Sequence, residues 1–160
     1  MRETMAAALE LGLQTFVSYP NSDPGSNQII DVIEEHRHDP RVSVFKNIPD
    51  REFVNLLRRA TVLIGNSSLG LLEAPYLKLP VVNVGRRQSE RHHSSNVFFV
   101  NADREAIVRQ IRAVIDDDET KQKIRRCENP FGDGHTGERV AELLAATTID
   151  EKLLNKDLSY

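Results

Sequence analysis

Val62-Leu63-Ile64-Gly65-Asn66-Ser67-Ser68-Leu69-Gly70-Leu71-Leu72-Glu73-Ala74 is the stretch that decides the fold. Its first residues are apolar and suit a buried strand. Gly65-Asn66-Ser67-Ser68 is a turn of small residues, and from Leu69 the apolar positions recur at helical spacing. A strand that passes through a short polar turn straight into a helix is the building unit of parallel α/β sheets. It also leaves backbone N–H groups directed outward at the carboxyl edge of the sheet, where an anion can be held. Ser67 and Ser68 add hydroxyl donors, while Gly65 and Gly70 permit close approach of a ligand or another backbone. The alternative is an ordinary strand-to-helix turn with a serine N-cap. Glycosylation at Asn66-Ser67-Ser68 would need a secretory setting that the rest of the chain does not support.

Working outward, short β-branched runs alternate with longer amphipathic ones, which predicts βαβ units around a mostly parallel sheet flanked by helices, a Rossmann-like α/β fold. The predicted strands are Thr15–Tyr19, Val42–Phe45, Thr61–Ile64, Val81–Val84 and Val97–Val100. The predicted helices between them are Ser26–His36, Asp50–Arg59 and Leu69–Leu77, the second with Phe53, Leu56, Leu57 and Ala60 on one face. Beyond Val100, Asn101 to Asp103 starts a helix striped by Ala106, Ile107, Ile111, Val114 and Ile115. A charged helix over Thr120–Arg126 follows. Asn129-Pro130-Phe131-Gly132-Asp133-Gly134 then reads as a loop before a last amphipathic helix through Val140, Leu143 and Leu144. Residues 1–146 are expected to form one domain, with 147–160 a polar tail inclined to fray.

With 160 residues, 39% of them hydrophobic, the chain suffices for one continuous core but not for two ordinary domains. A formal net charge of −3 provides no global positive field for nucleic acid or an anionic membrane, so neither is an expected partner. The single cysteine, Cys127, can form no internal disulfide, and the start lacks a secretory apolar stretch; both fit a cytoplasmic setting. No apolar run approaches the roughly 20 residues needed to span a bilayer.

Glu73 stands five residues after Ser68, about 7.5 Å along a helix by the usual rise, within reach of a sugar joined to a phosphate at the turn. A carboxylate there suits ribose hydroxyls; a solvated helix face is the alternative. Arg86-Arg87-Gln88-Ser89-Glu90-Arg91-His92-His93 follows the next strand, at the same edge if the strands are parallel. Its arginines can neutralise a diphosphate, though such a run is equally the composition of a solvated loop. His92 and His93 are adjacent and point apart, so no metal is assigned. Tyr19-Pro20-Asn21-Ser22-Asp23-Pro24-Gly25 opens onto the same edge, either lining a pocket or forming an Asx-type turn. No G-x-G-x-x-G follows the first strand, so the dinucleotide fingerprint is absent and no cofactor is implied.

These segments, with Phe45-Lys46-Asn47-Ile48-Pro49, Leu79-Pro80-Val81-Val82-Asn83-Val84-Gly85, Arg87-Gln88 with Arg91, and Asn129 to Gly134, resemble in order the C-terminal domain of the UDP-N-acetylglucosamine 2-epimerases. Gly85-Arg86-Arg87-Gln88 leans toward the hydrolysing branch. The resemblance implies one half of a GT-B fold, with a nucleotide sugar between two Rossmann-like domains. It implies that Ser67 and Ser68, on the Gly65-Asn66-Ser67-Ser68 turn read above as the diphosphate site, bind the diphosphate and that Glu73 binds ribose. It further implies that the backbone near Phe45 meets uracil, that Asn21 faces the sugar, and that Arg87, Gln88 and Arg91 lie beside the phosphates. Arg86 stands where a threonine is common and Pro24 where a small residue is.

The family's acid/base carboxylates belong to an N-terminal domain, so the resemblance implies no catalytic residue in this chain. The implied partners are UDP or a UDP-sugar and that domain; a homo-oligomer is left open. The implied reaction removes the C2 proton, eliminates UDP to give 2-acetamidoglucal, and adds water to yield N-acetylmannosamine. A non-hydrolysing epimerase, a glycosyltransferase donor domain and a non-catalytic nucleotide-sugar-binding module are the alternatives.

Overall fold

Residues 1–155 are described by a computed structural model. They form two compact units, Met1–Pro130 and a smaller one from Phe131 onward. In the first, helices and strands alternate as far as the fourth strand, a fifth strand follows it directly, and two helices come after in succession: α1 (Arg2–Glu10), β1 (Thr15–Ser18), α2 (Ser26–Glu35), β2 (Val42–Phe45), α3 (Asp50–Arg59), β3 (Leu63–Gly65), α4 (Leu69–Leu72), β4 (Val81–Val84), β5 (Val97–Val100), α5 (Arg104–Asp116) and α6 (Asp118–Arg125). The second contains α7 (Thr136–Ala146) and α8 (Glu151–Leu154).

Every strand pair is parallel, β1 with β2 and β3-β4-β5 with β4 central, which gives the predicted α/β class. Where one sheet was expected there are two ladders, because packing rather than hydrogen bonding joins β1 to β3. Leu11 and Leu13, leading into β1, gather with Val62 and Ile64 around buried Ala7, Val82, Ile107, Val108 and Ile111. Helix α1 spans the join, since its Met5 enters the other cluster with Val17, Val32, Ile33 and Val42. On the opposite face of β4, Val81 packs with Leu57, Leu71, Ala74, Leu79 and Val97. Adjacent residues of a strand point to opposite faces, so this central strand is buried on both.

Strands β2, β4 and β5 and helix α3 occupy their predicted residues. Strand β1 ends one residue early, although Tyr19 N still donates to Phe45 O at 3.0 Å. Strand β3 starts at Leu63 rather than Thr61, and α2 stops at Glu35 rather than His36. Helix α6 starts earlier than predicted because Asp117 caps it, accepting from Thr120 N at 2.8 Å.

The largest correction concerns the helix expected over Leu69–Leu77, of which only Leu69–Leu72 is α-helical. Pro75 lacks an N–H and disfavours helical geometry at Ala74. The chain instead closes three successive turns, Tyr76 N to Glu73 O, Leu77 N to Ala74 O and Lys78 N to Pro75 O, each at 3.1 Å, and reverses at Lys78 with φ of 53°. Glu73 is therefore the C-cap of a single helical turn, not a residue within a long helix.

In the second unit, α7 carries the expected apolar positions, yet Leu143 and Leu144 are 68% and 69% exposed. Part of the tail expected to fray is the short helix α8, capped by Asp150, whose carboxylate accepts from Leu153 N at 2.9 Å. Residues 156–160 of that tail lie outside the described residues. Among the described residues no helix is long and apolar enough to cross a membrane.

Candidate functional site

Parallel registers bring the carboxyl ends of the strands to one edge. Ser18 is opposite Phe45, Gly65 opposite Asn83, and Val84 opposite Val100. The loops that leave there carry Asn21, Asn66, Ser67, Ser68, Arg87, Gln88 and Arg91, while Gly65 and Phe45 end their strands and Glu73 caps the far end of α4.

The Gly65–Ser68 turn begins at a glycine with φ of 148°, a geometry that side chains resist. Ser67 is exposed and Ser68 half-buried. Ser67 Oγ accepts from Leu69 N at 3.4 Å, a long bond, and Ser68 accepts no side-chain cap bond. Among the described residues, no protein acceptor meets the Ser67 or Ser68 amide. Two N–H groups without a protein acceptor and two hydroxyls thus stand side by side on one turn, a donor set that suits an anion. Helix α4 is too short to add much of a dipole.

Close packing sets the height of this turn over the sheet. Gly70 is buried, and a Cβ built there would lie 2.8 Å from Val81 Cγ1. The close approach foreseen for Gly70 is thus to the side chain of β4. At its other end α4 is braced by the segment after α6. Asn129 Nδ2 donates to Leu72 O at 2.9 Å, Cys127 Sγ lies 3.7 Å from Pro75 O, and Lys78 Nζ donates to Cys127 O. The motif read from sequence as turn residues therefore begins with a structural strut beneath Glu73. The Glu73 carboxylate is itself exposed.

The arginine loop folds as two turns, Ser89 N to Arg86 O at 3.2 Å and Arg91 N to Gln88 O at 3.1 Å. It meets the serine turn through Gln88, which is 2% exposed and donates from Nε2 to Asn66 O at 3.0 Å. Arg91 NH1 donates to Gln88 Oε1 at 3.0 Å. Arg87 reaches the loop after β1, with NH2 at 3.8 Å from Asp23 Oδ2 in an exposed pair. Asn21 is exposed in that same loop. Phe45, at the end of β2, is half-buried and stacks on Phe16 with ring centroids 6.3 Å apart. The structure thus joins Asn66, Gln88 and Arg91 directly and brings Arg87 to Asp23, while among the described residues no hydrogen bond or ion pair links Asn21, Phe45 or Glu73 to that network.

Other features were not evident from the sequence. Asn83, paired in register with Gly65, is fully buried with Oδ1 unpartnered, and its Nδ2 donates to Gly85 O at 3.3 Å. Tyr19, which leads into the Asn21 loop, donates its hydroxyl to Glu34. Arg37 grips the same carboxylate with Nε and NH2 at 2.5 and 2.6 Å. Hydrogen bonds from Arg37 first, and then from Tyr19, lower the Glu34 pKa to about 2. Glu34 and Arg37 stand three residues apart, a spacing that favours pairing at a helix end, whereas Tyr19 comes from a distant strand end. Among the described residues, no three His, Cys, Asp or Glu side chains gather as a metal-binding group.

A family model described as UDP-N-acetylglucosamine 2-epimerase matches residues 1–145. A relative from Legionella pneumophila, UDP-N,N'-diacetylbacillosamine 2-epimerase (hydrolyzing), is 38% identical over 159 residues, which is 99% of this chain and 41% of the relative. A UDP-N-acetylglucosamine 2-epimerase from Neisseria meningitidis is 37% identical over 95 residues, 59% of this chain and 25% of that one. Among solved structures, a UDP-GlcNAc 2-epimerase from Neisseria meningitidis bound to UDP-GlcNAc superposes with a TM-score of 0.69 at 20% identity, over 92% of this chain and 41% of that one. The UDP-GlcNAc 2-epimerase of Methanocaldococcus jannaschii gives 0.68 at 17% identity, covering 91% and 40%. The chain spans about two fifths of the length of the L. pneumophila relative and of these structures. With the serine turn, the arginine loop and the parallel α/β scaffold all in one compact unit, and with a family match over nearly its whole length, this chain belongs to the UDP-N-acetylglucosamine 2-epimerase family.

Proposed function

We propose that residues 1–146 form the nucleotide-sugar-binding domain of a hydrolysing 2-epimerase and hold the diphosphate of a UDP-sugar at Gly65, Asn66, Ser67 and Ser68. The observation that carries this reading is the pair of unpartnered Ser67 and Ser68 amides, on a turn tied to an arginine-bearing loop at the carboxyl edge of parallel strands. Crevices at that edge are where open α/β sheets take ligands. In this reading Arg87 neutralises the diphosphate, Glu73 accepts from ribose hydroxyls, the backbone near Phe45 meets the base, and Asn21 lies on the sugar side. Every one of these residues precedes Pro130.

The chemical contribution is electrostatic. Elimination of UDP builds negative charge on the departing diphosphate, and preorganised amide, hydroxyl and guanidinium donors stabilise it as it forms. Removal of the C2 proton is assigned to groups outside these 160 residues, so the chain by itself is expected to bind without turning over.

A shift of the unfolding temperature tests the binding claim, because a ligand that binds only the folded state stabilises it by about 2.7 kcal/mol at a hundred times its Kd. UDP and UDP-N-acetylglucosamine are expected to raise it; no shift with UDP, UDP-N-acetylglucosamine or GDP would sink the reading. Adding the remaining domain of a relative should release UDP and a free 2-epimerised sugar, whereas release of UDP-N-acetylmannosamine would favour the non-hydrolysing branch. The match to the L. pneumophila enzyme over 99% of this chain favours a second substrate, UDP-N,N'-diacetylbacillosamine, which the same assay should include.

A further inference from the structure

We propose that Gln88 is a positioning residue, one that aims the Ser67 amide at the ligand, and that Arg91 acts through it instead of touching the diphosphate. The inference rests on the nucleotide-diphosphate reading of the serine turn and reassigns two residues that the sequence placed among the ligand contacts.

The geometry of one peptide bond carries it. Asn66 C=O and Ser67 N–H belong to the same peptide group, and in a trans peptide they point in opposite directions. Among the described residues there is no cis bond. Gln88 is 2% exposed and grips Asn66 O from the protein interior at 3.0 Å, so the Ser67 N–H on the other side of that plane is turned outward. Among the described residues that N–H has no protein acceptor. Without the grip, rotation about the bonds flanking this peptide is restrained only by the turn, whose first residue is a glycine with φ of 148°.

Gln88 holds Asn66 O only if its amide faces the right way round. Both ends of a glutamine amide have the same shape, and the orientation is chosen by what each end meets. Arg91 NH1 meets Oε1 at 3.0 Å. A guanidinium can only donate, so the end facing Arg91 must be the oxygen, and the NH2 is thereby committed to Asn66 O. Burial and the commitment of each amide end to a protein partner set Gln88 behind the turn, away from a phosphate at its exposed side. The order of action is Arg91 to Gln88, Gln88 to the Asn66 peptide, and the Ser67 amide to the ligand. Arg87, with a side chain 60% exposed and outside this relay, remains the cation suited to direct contact.

The test is UDP titration by calorimetry of the full 160-residue chain, of Gln88→Met and Arg91→Met, and of the double variant, at two salt concentrations. Losing one net hydrogen bond of this kind corresponds to about a fivefold to tenfold weakening, expected for Gln88→Met. Arg91→Met is expected to lose less, and the double variant no more than Gln88→Met alone, since residues acting in series are not additive. Removing Arg91 should also leave the salt dependence of binding unchanged, whereas a direct charge contact with phosphate would be screened and its loss would flatten that dependence. The Ser67 amide resonance of the unliganded Gln88→Met chain should move and exchange with solvent faster. Additive losses with a flattened salt dependence would make Arg91 a direct contact and overturn the relay. Unchanged UDP affinity in Gln88→Met would overturn the role of Gln88 while the nucleotide reading stood. Failure of the unsubstituted chain to bind UDP would remove both. If Gln88→Met does not fold, Gln88→Glu replaces it: similar in size, it still accepts from Arg91 but presents an oxygen to Asn66 O, and is expected to lose at least as much.

Discussion

Replacing Gly70 by alanine should destabilise the protein and loosen the serine turn together. Two effects oppose each other. Alanine is a better helix former than glycine by about 0.8–1.0 kcal/mol in a helix interior, which taken alone predicts a gain. Against it, the new Cβ would sit 2.8 Å from Val81 Cγ1, far inside the roughly 3.5–4.0 Å at which carbons attract. Something must move by about an ångström. Val81 is 2% exposed and β-branched, with a stiff χ1, and its backbone is held in register by Leu63 on one side and Val97 on the other. The strand therefore resists, and the cost falls on α4. Overpacking of this kind amounts to about 1–3 kcal/mol, and the propensity gain is small in a helix of one turn, so a net loss of about 1–2 kcal/mol is expected.

Urea denaturation reads the stability, and UDP affinity reads the turn, which should be displaced with the helix that follows it. The background variant Val81→Ala isolates the cause, because it removes the methyl group that the new Cβ would strike. Val81→Ala is destabilising alone, but in that background Gly70→Ala should be neutral or stabilising, a coupling of the kind seen between residues in contact. If Gly70→Ala leaves stability equal or higher in both backgrounds, the contact does not set the position of α4 and the reasoning fails.

Glu73→Ala is expected to weaken UDP binding by about 1.5–3 kcal/mol while leaving 2′,3′-dideoxy-UDP unaffected; equal loss for both would remove the ribose assignment. Asp23→Asn frees Arg87 from a competing carboxylate in an exposed pair 3.8 Å apart, and UDP affinity should rise about twofold, read by calorimetry at low salt. Glu34 is the group to follow in acid. Its pKa in the folded chain lies below the ordinary 4.5, at about 2, so the stability it contributes is complete above about pH 4.5 and is lost as the pH falls toward 2. Carboxyl-carbon NMR should place its midpoint near 2 in the parent and higher in Arg37→Met and Tyr19→Phe. A midpoint near 4.5 in the parent would show that the clamp seen around Tyr19 does not persist in solution.

Much of this protein is local in origin and was legible as such. Three of the five strands, Val42–Phe45, Val81–Val84 and Val97–Val100, begin and end where composition places them, because β-branched runs bounded by turn residues need no distant information. The start of α5 was equally legible, its Asp103 carboxylate accepting from Ala106 N at 2.8 Å. The serine turn and the arginine loop stood out as a candidate anion site by residue type, and the parallel registers of β3, β4 and β5 set the strand ends that lead into them at one edge.

What the sequence left undetermined depends on residues distant along the chain. The truncation of α4 at Leu72 had a local cue in Pro75, but the brace that holds the shortened helix comes from Cys127 and Asn129, more than fifty residues on. The separation of β1 from β3 turns on side-chain packing around α1, which no periodicity reports. Gln88 read as one residue of a loop beside the phosphates. Its burial, and its hold on the Asn66 carbonyl 22 residues earlier, exist only because β3 and β4 pair in parallel and set their loops side by side. Residue type and spacing determine which groups can bind an anion. Which of them face the ligand, and which merely aim the others, is decided when the folded chain assigns each donor and acceptor its one partner.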